Sequence, residues 1–149
     1  MLPALPSPKS AAALLLSLCL LLPLGLLSGC GAGPTPPRAT LISALALQIE
    51  LTQAAIAEAL QLEPPGPATV SHVRVEAQQR LAVGDGRGIR LSGRCDWRLA
   101  ADPIRVDSPF ELVLQRGERG QSWRLARPQS PSEPGTPQQW LIDPLPIKS

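Results

Sequence analysis

His72 and Cys95 are the side chains best suited to nucleophilic or general-base chemistry in this 149-residue sequence. A cysteine nucleophile needs a base within reach to take its proton, and His72 is the only histidine available. Cys95 falls in the inward phase of a strand pattern with Leu91, Trp97 and Leu99, where a thiol packs as a small apolar group. The strand pairing derived below sets Cys95 opposite Val75, so the sequence predicts a packing thiol and a histidine at a strand end. Asp96, Asp107 and Glu111 fall in the outward phase among arginines, the pattern of solvated ion pairs; an acid/base couple would need a pocket. Cysteine and histidine show no metal-ligand spacing. Gly84-Asp85-Gly86-Arg87-Gly88 is glycine-rich but joins two predicted strands with no helix after it, so it reads as a hairpin loop and not as a phosphate cradle. No catalytic residue, metal ligand or cofactor is expected.

Two other groups of residues suit binding. Arg74, Arg80, Arg90, Arg94, Arg98, Arg105 and Arg124 alternate outward against Glu76, Asp96, Asp107 and Glu111. Forked guanidinium donors suit carboxylates and phosphates, and Arg90, Arg94 and Arg98, all on one strand, are the candidate partner contacts. The second group is Trp140-Leu141-Ile142-Asp143-Pro144-Leu145-Pro146-Ile147. An apolar peptide led by tryptophan docks either on its own domain or on a partner, and Trp140, Leu141 and Ile142 are its candidate anchors.

The elements that position these residues follow from hydrophobic period. Leu41, Leu45, Ile49, Thr52, Ile56 and Leu60 recur at helical spacing, with Leu47, Leu51, Ala54, Ala55 and Leu62 widening the stripe. One helix is predicted from Thr40, its N-cap, to Leu62, before Pro64-Pro65-Gly66-Pro67. Glu50, Glu58 and three glutamines argue against a membrane span there. Four alternating runs follow: Val73 to Val83, Ile89 to Leu99, Ile104 to Leu114 and Trp123 to Leu125. Their connections are too short for parallel crossovers, which predicts an antiparallel meander. A three-residue Gly84-Asp85-Gly86 loop would pair Val83 with Arg87. Glu76 would then face Arg94, Arg74 would face Asp96, and Ala77 with Gly93 would leave a shallow trough for the helix. The predicted class is α+β, one long N-terminal helix on a four-stranded antiparallel meander. That element order resembles the cystatin-like and nuclear-transport-factor-like architectures over residues 40–127.

Leu27-Ser28-Gly29-Cys30 closes an Ala/Leu run from Ala11 that follows Lys9. This stretch resembles the lipobox of bacterial lipoproteins, in which the cysteine becomes a lipid-modified N-terminus, and the overall texture is similar to small lipoproteins of photosynthetic bacteria. The resemblance implies a signal peptide over 1–29, acylation (palmitate or a similar chain) at Cys30, and a membrane-anchored location on the exported side, periplasmic or lumenal. A Gly/Pro tether over 30–38 then precedes the domain at 39–127, a Pro-rich linker at 128–139 and the apolar segment at 140–149. With Cys19 in the leader and Cys30 acylated, Cys95 has no disulfide partner. Fourteen basic against twelve acidic residues leave no bulk argument for nucleic acid. The expected function is a non-enzymatic binding or assembly module of the cell envelope, partnered by an envelope protein and by the membrane through Cys30. The alternative is a carrier of a small apolar ligand held between helix and sheet near Ala77 and Gly93. An enzyme would have to use Gln79, Cys95 and Ser108, the only inward polar groups.

Overall fold

Helix α1 spans Arg38–Ala59. It begins two residues before the expected cap: Pro37 supplies a pre-set φ of −56°, and its carbonyl accepts the Leu41 N–H at 3.1 Å. The other end closes as a Schellman motif, Leu62 N–H to Ala57 O and Gln61 N–H to Glu58 O, with Gln61 at φ +56°. Five strands follow: β1 Ala68–Val83, β2 Gly86–Leu99, β3 Arg105–Arg116, β4 Trp123–Pro128 and β5 Trp140–Pro144. They form one antiparallel sheet in sequential order. The class is therefore α+β as expected, with five strands in place of four. In this computed structural model the described residues are 35–130 and 133–146. The leader over 1–29, Cys30 and the tether as far as residue 34 lie outside them.

The core forms where α1 crosses one face of the sheet. Leu41, Ala44 and Leu45 pack with Val70, Val73, Ile89, Leu91, Cys95, Leu112, Leu114 and Leu125. Polar contacts fix the helix on the sheet: Arg38 Nη1 donates to Val73 O (3.3 Å), Gln48 Nε2 to Glu111 O (3.0 Å), and Ala68 N–H to Glu50 Oε1 (2.9 Å). By length and composition α1 could cross a membrane. Its N-terminal half is instead the core helix of this domain.

The β1–β2 register differs from expectation. A two-residue turn, Gly84-Asp85, pairs Val83 with Gly86 rather than Arg87. Gly84 at φ +57° matches the II′ hairpin, whose twist suits the flanking strands. A one-residue slip turns every side chain to the other face, so Ala77, Gln79, Leu81 and Val83 share a face with Arg90 and not with Leu91. A bulge at Glu76 reverses the phase, returning Val75 to the helix side. Three expected pairs are therefore replaced: Ala77 faces Ser92, Gly93 faces Val75, and Arg74 faces Arg94. No trough remains at Gly93, because a Cβ there would collide with the Arg74 carbonyl. The slip also explains a second apolar cluster on the outer face, where Val83, Val113 and Ala126 are buried and Leu81, Trp140 and Ile142 pack on them.

Strand β5 is the segment after the Pro-rich connection. It pairs along all five of its residues, from Pro128 with Trp140 to Arg124 with Pro144. Gln129 N–H to Gln139 O (2.9 Å) extends the ladder by one rung. Pro144 sits at the end of an edge strand, where a missing N–H is tolerated. Trp140 and Ile142 face the second cluster, while Leu145 packs on the main core.

Candidate functional site

Two bulges meet on the outer face around Asp96. Between the Ser71–Asp96 and Arg74–Arg94 pairs, β1 sets His72 and Val73 against Cys95 alone. Between Cys95–Ser108 and Trp97–Arg105, β3 sets Val106 and Asp107 against Asp96 alone. The first residue of one bulge and the second of the other adopt left-handed backbone, His72 at φ +49° and Asp107 at φ +52°. Such residues persist only where the surroundings hold them, and here Asp96 does so. Its Oδ1 accepts the Asp107 N–H at 2.8 Å, and its Oδ2 meets His72 Nδ1 at 2.9 Å. Asp107 in turn bridges two arginines that face each other across the ladder: Arg74 Nη2 reaches Oδ1 at 2.5 Å, and Arg94 Nη1 reaches Oδ2 at 3.3 Å and the Asp107 carbonyl at 2.7 Å. Like charges directly opposed are destabilising unless bridged in this way.

These contacts define what the cluster does. The backbone N–H of Asp107, then the His72 side chain and the Arg74 charge, hold the Asp96 carboxyl below its ordinary range. Both carboxylates are occupied by donors, so they act as clips for the bulges. Among the described residues no group of three or more His, Cys, Asp or Glu is arranged to hold a metal ion. Cys95 lies on the helix side, 3% exposed, whereas the His72 side chain is 80% exposed. The β1 bulge therefore puts Val73, and not the expected Val75, beside Cys95 in the core. Burial, with the Asp96 charge second, pushes the Cys95 thiol pKa up and away from thiolate chemistry.

The expected arginine face is divided. Arg74, Arg90, Arg94, Arg98 and Arg124 share the outer side, but Arg80 pairs with Ile89 and Arg105 with Trp97, which turns both to the helix side. Arg105 lies over the Trp97 ring at 5.0 Å. Arg90 is drawn to Glu111 (Nε to Oε1, 3.4 Å), and Arg94 is engaged by Asp107. Of the three arginines expected at a partner surface, Arg98 alone is exposed. Gln79, expected inward, lies opposite Arg90 on the outer side.

An open trough of about 1260 Å³ lies elsewhere on the outer face. Val83, Trp140 and Ile142 give it an apolar side; Arg87, Arg119 and Arg124 line it with Asp85 and Glu118. Arg87, Arg119 and Arg124 make no ion pair among the described residues. The structure thus brings Trp140 and Ile142 to this trough, leaves Leu141 on the other face at 41% exposure, and separates all three from Arg94 and Arg98. Arg87 and Arg119 were not singled out from the sequence. The signal was present: both sit beside glycines in alternate turns of a meander, and such turns lie at the same end of a sheet.

Compared with family models, curated proteins and solved structures, the chain matches none.

Proposed function

We propose that this chain is a lipoprotein anchored through Cys30 on the exported face of a bacterial membrane, where it works as a non-enzymatic binding or assembly module. The observation that carries the binding role is the trough: an apolar side containing Trp140, beside Arg87, Arg119 and Arg124, which make no ion pair among the described residues. Aromatic anchors with adjacent forked cations are the make-up of an interface hot spot. The fitting partner is an acidic, apolar-bearing segment of an envelope protein. Helix-then-meander order keeps the cystatin-like architecture as an analogy, extended here by a fifth strand, and analogy of fold carries no activity. The ligand-carrier reading finds no support at Gly93, where β1 backbone fills the space.

Affinity purification from intact membranes tests this. A partner recovered with the parent chain is expected to fall at least tenfold in yield with Arg87→Glu/Arg124→Glu and to persist with Arg98→Glu, which lies outside the trough. Equal recovery with both variants would overturn the assignment.

A further inference from the structure

The sheet has two open edges among the described residues, β1 and β5. An open edge presents unpaired N–H and C=O groups and invites another strand unless it is blunted. The β1 edge is blunted: bulges at His72 and at Glu76 interrupt it, and Arg74, Glu76 and Arg80 charge it. Strand β5 has neither a bulge nor an open charge, since its one ionisable side chain, Asp143, is taken up by Arg127 at 2.8 Å. Its bonding phase is fixed by the rung beyond it. Gln129 N–H donates to Gln139 O, so these two residues are a hydrogen-bonded pair, and bonded pairs alternate along an antiparallel ladder. Leu141 and Asp143 therefore bond to β4, while Trp140, Ile142 and Pro144 turn their backbone groups to the open edge. The prolines agree with this phase: Pro128 and Pro144 both fall in non-bonded pairs, where the ladder needs no N–H. Trp140 and Ile142 are thus the β5 residues that offer both a donor and an acceptor outward, and they flank Leu141 symmetrically. Leu141 belongs to neither apolar cluster and is 41% exposed.

We propose that the free edge of β5 pairs with β5 of a second copy of this chain, antiparallel about a twofold axis through Leu141. Trp140 of each copy then exchanges N–H···O=C bonds with Ile142 of the other, so that both outward N–H groups of each strand are satisfied. Residues opposite one another share a face. On the outer face Trp140 packs against Ile142 of the other copy. On the helix side Leu141 meets its own equivalent, with Cα atoms about 4.5 Å apart in this non-bonded pair, and is covered. Sliding the register by two residues loses the match: it sets Trp140 against Pro144, which has no N–H to give, or Leu141 against Gln139. This symmetry favours a second copy over an unrelated strand. A longer partner strand gains no donor past Ile142, where Pro144 and Pro146 follow, and the neutral edge has no charge with which to select a charged partner. A five-residue edge is small beside the roughly 800 Å² per partner of a stable interface, so the dimer is a weak and reversible one. Its sheet runs on from one copy to the other, with the two arginine-lined troughs on the same face. The pairing requires neither the lipid anchor nor a bound partner.

Sedimentation velocity of the full chain in detergent is expected to show a concentration-dependent monomer–dimer equilibrium. Leu141→Asp sets two carboxylates against each other across the axis and is expected to weaken the dimer at least tenfold. Its melting temperature should stay that of the parent, because Leu141 lies in neither cluster. Leu141→Cys reads the geometry independently of affinity and of any loss of stability in Leu141→Asp. Its two thiols would stand at a Cα separation within disulfide range. Mild oxidation is therefore expected to cross-link this variant at least tenfold faster than the parent, whose rate corrects for any free Cys30, and faster than Gln78→Cys on the β1 edge. A parent that stays monomeric up to about 1 mM, the limit of weak pairing, would overturn the proposal. So would a dimer unaffected by Leu141→Asp, or a Leu141→Cys variant that cross-links no faster than the parent. Cross-linking through Gln78→Cys instead would move the contact to β1 and overturn it equally.

Discussion

Asp96 is the residue on which the outer face turns. One carboxylate holds a backbone N–H from one bulge and a histidine from the other, and through Asp107 it fixes where Arg74 and Arg94 point. Its pKa is lowered in the folded chain, first by the Asp107 N–H. A depressed folded pKa contributes stability that is fully present above the unfolded value of about 3.9, and it is lost as pH falls through the folded value. Asp96→Asn is therefore expected to flatten the loss of melting temperature below about pH 4, the unfolded carboxylate range. Melting curves of parent and variant between pH 2 and 7 check this; an unchanged acid limb would mean that Asp96 is not a source of the acid sensitivity. The ion pairing of Asp107 was legible as an outward carboxylate among arginines; the two bulges and the role of Asp96 between them were not. His72 reads as a strand-end residue and Asp107 as an ordinary member of an alternating run, and their positive φ comes from bulges that only tertiary pairing decides.

At the scale of elements, helix and strands were legible because their periods are strong: Leu41, Leu45 and Ile49 at helical spacing, and Ile89, Leu91, Cys95 and Trp97 at period two. Register was not. Facing Glu76 with Arg94 would form exposed pairs worth only about tenths of a kcal/mol. A II′ turn at Gly84 and burial of Val83, Val113 and Ala126 outweigh it. The C-terminal segment was expected to dock on its own domain or on a partner; it docks on its own domain, and β5 pairs along five residues. Its contribution is measurable. Removing residues 140–149 uncovers Val83, Val113 and Ala126 and deletes the edge of the sheet. Losing the burial of one tryptophan and one isoleucine costs a few kcal/mol. In a domain of this size the melting temperature should fall by several degrees. An unchanged melting temperature would mean that β5 adds nothing to the fold.

Over the whole molecule, a single sheet separates two environments. One face is closed by the first half of α1; the other carries the clipped bulges at one end and, at the other, the arginine-lined trough built on β5. The candidate site was only partly visible beforehand. Trp140 and Ile142 announce themselves by being apolar after a Pro-rich stretch. Arg87 and Arg119 become neighbours of that tryptophan only when the meander brings two glycine turns to one end. The proposed role is that of a module held at a membrane, so attachment at Cys30 is the central claim. Intact-mass spectrometry of the protein extracted from membranes tests it most directly. The account predicts a mature chain beginning at Cys30 whose mass exceeds that of residues 30–149 by covalent lipid, and loss of that species in Cys30→Ala. An unmodified mass, or a mature N-terminus at any other residue, would contradict it.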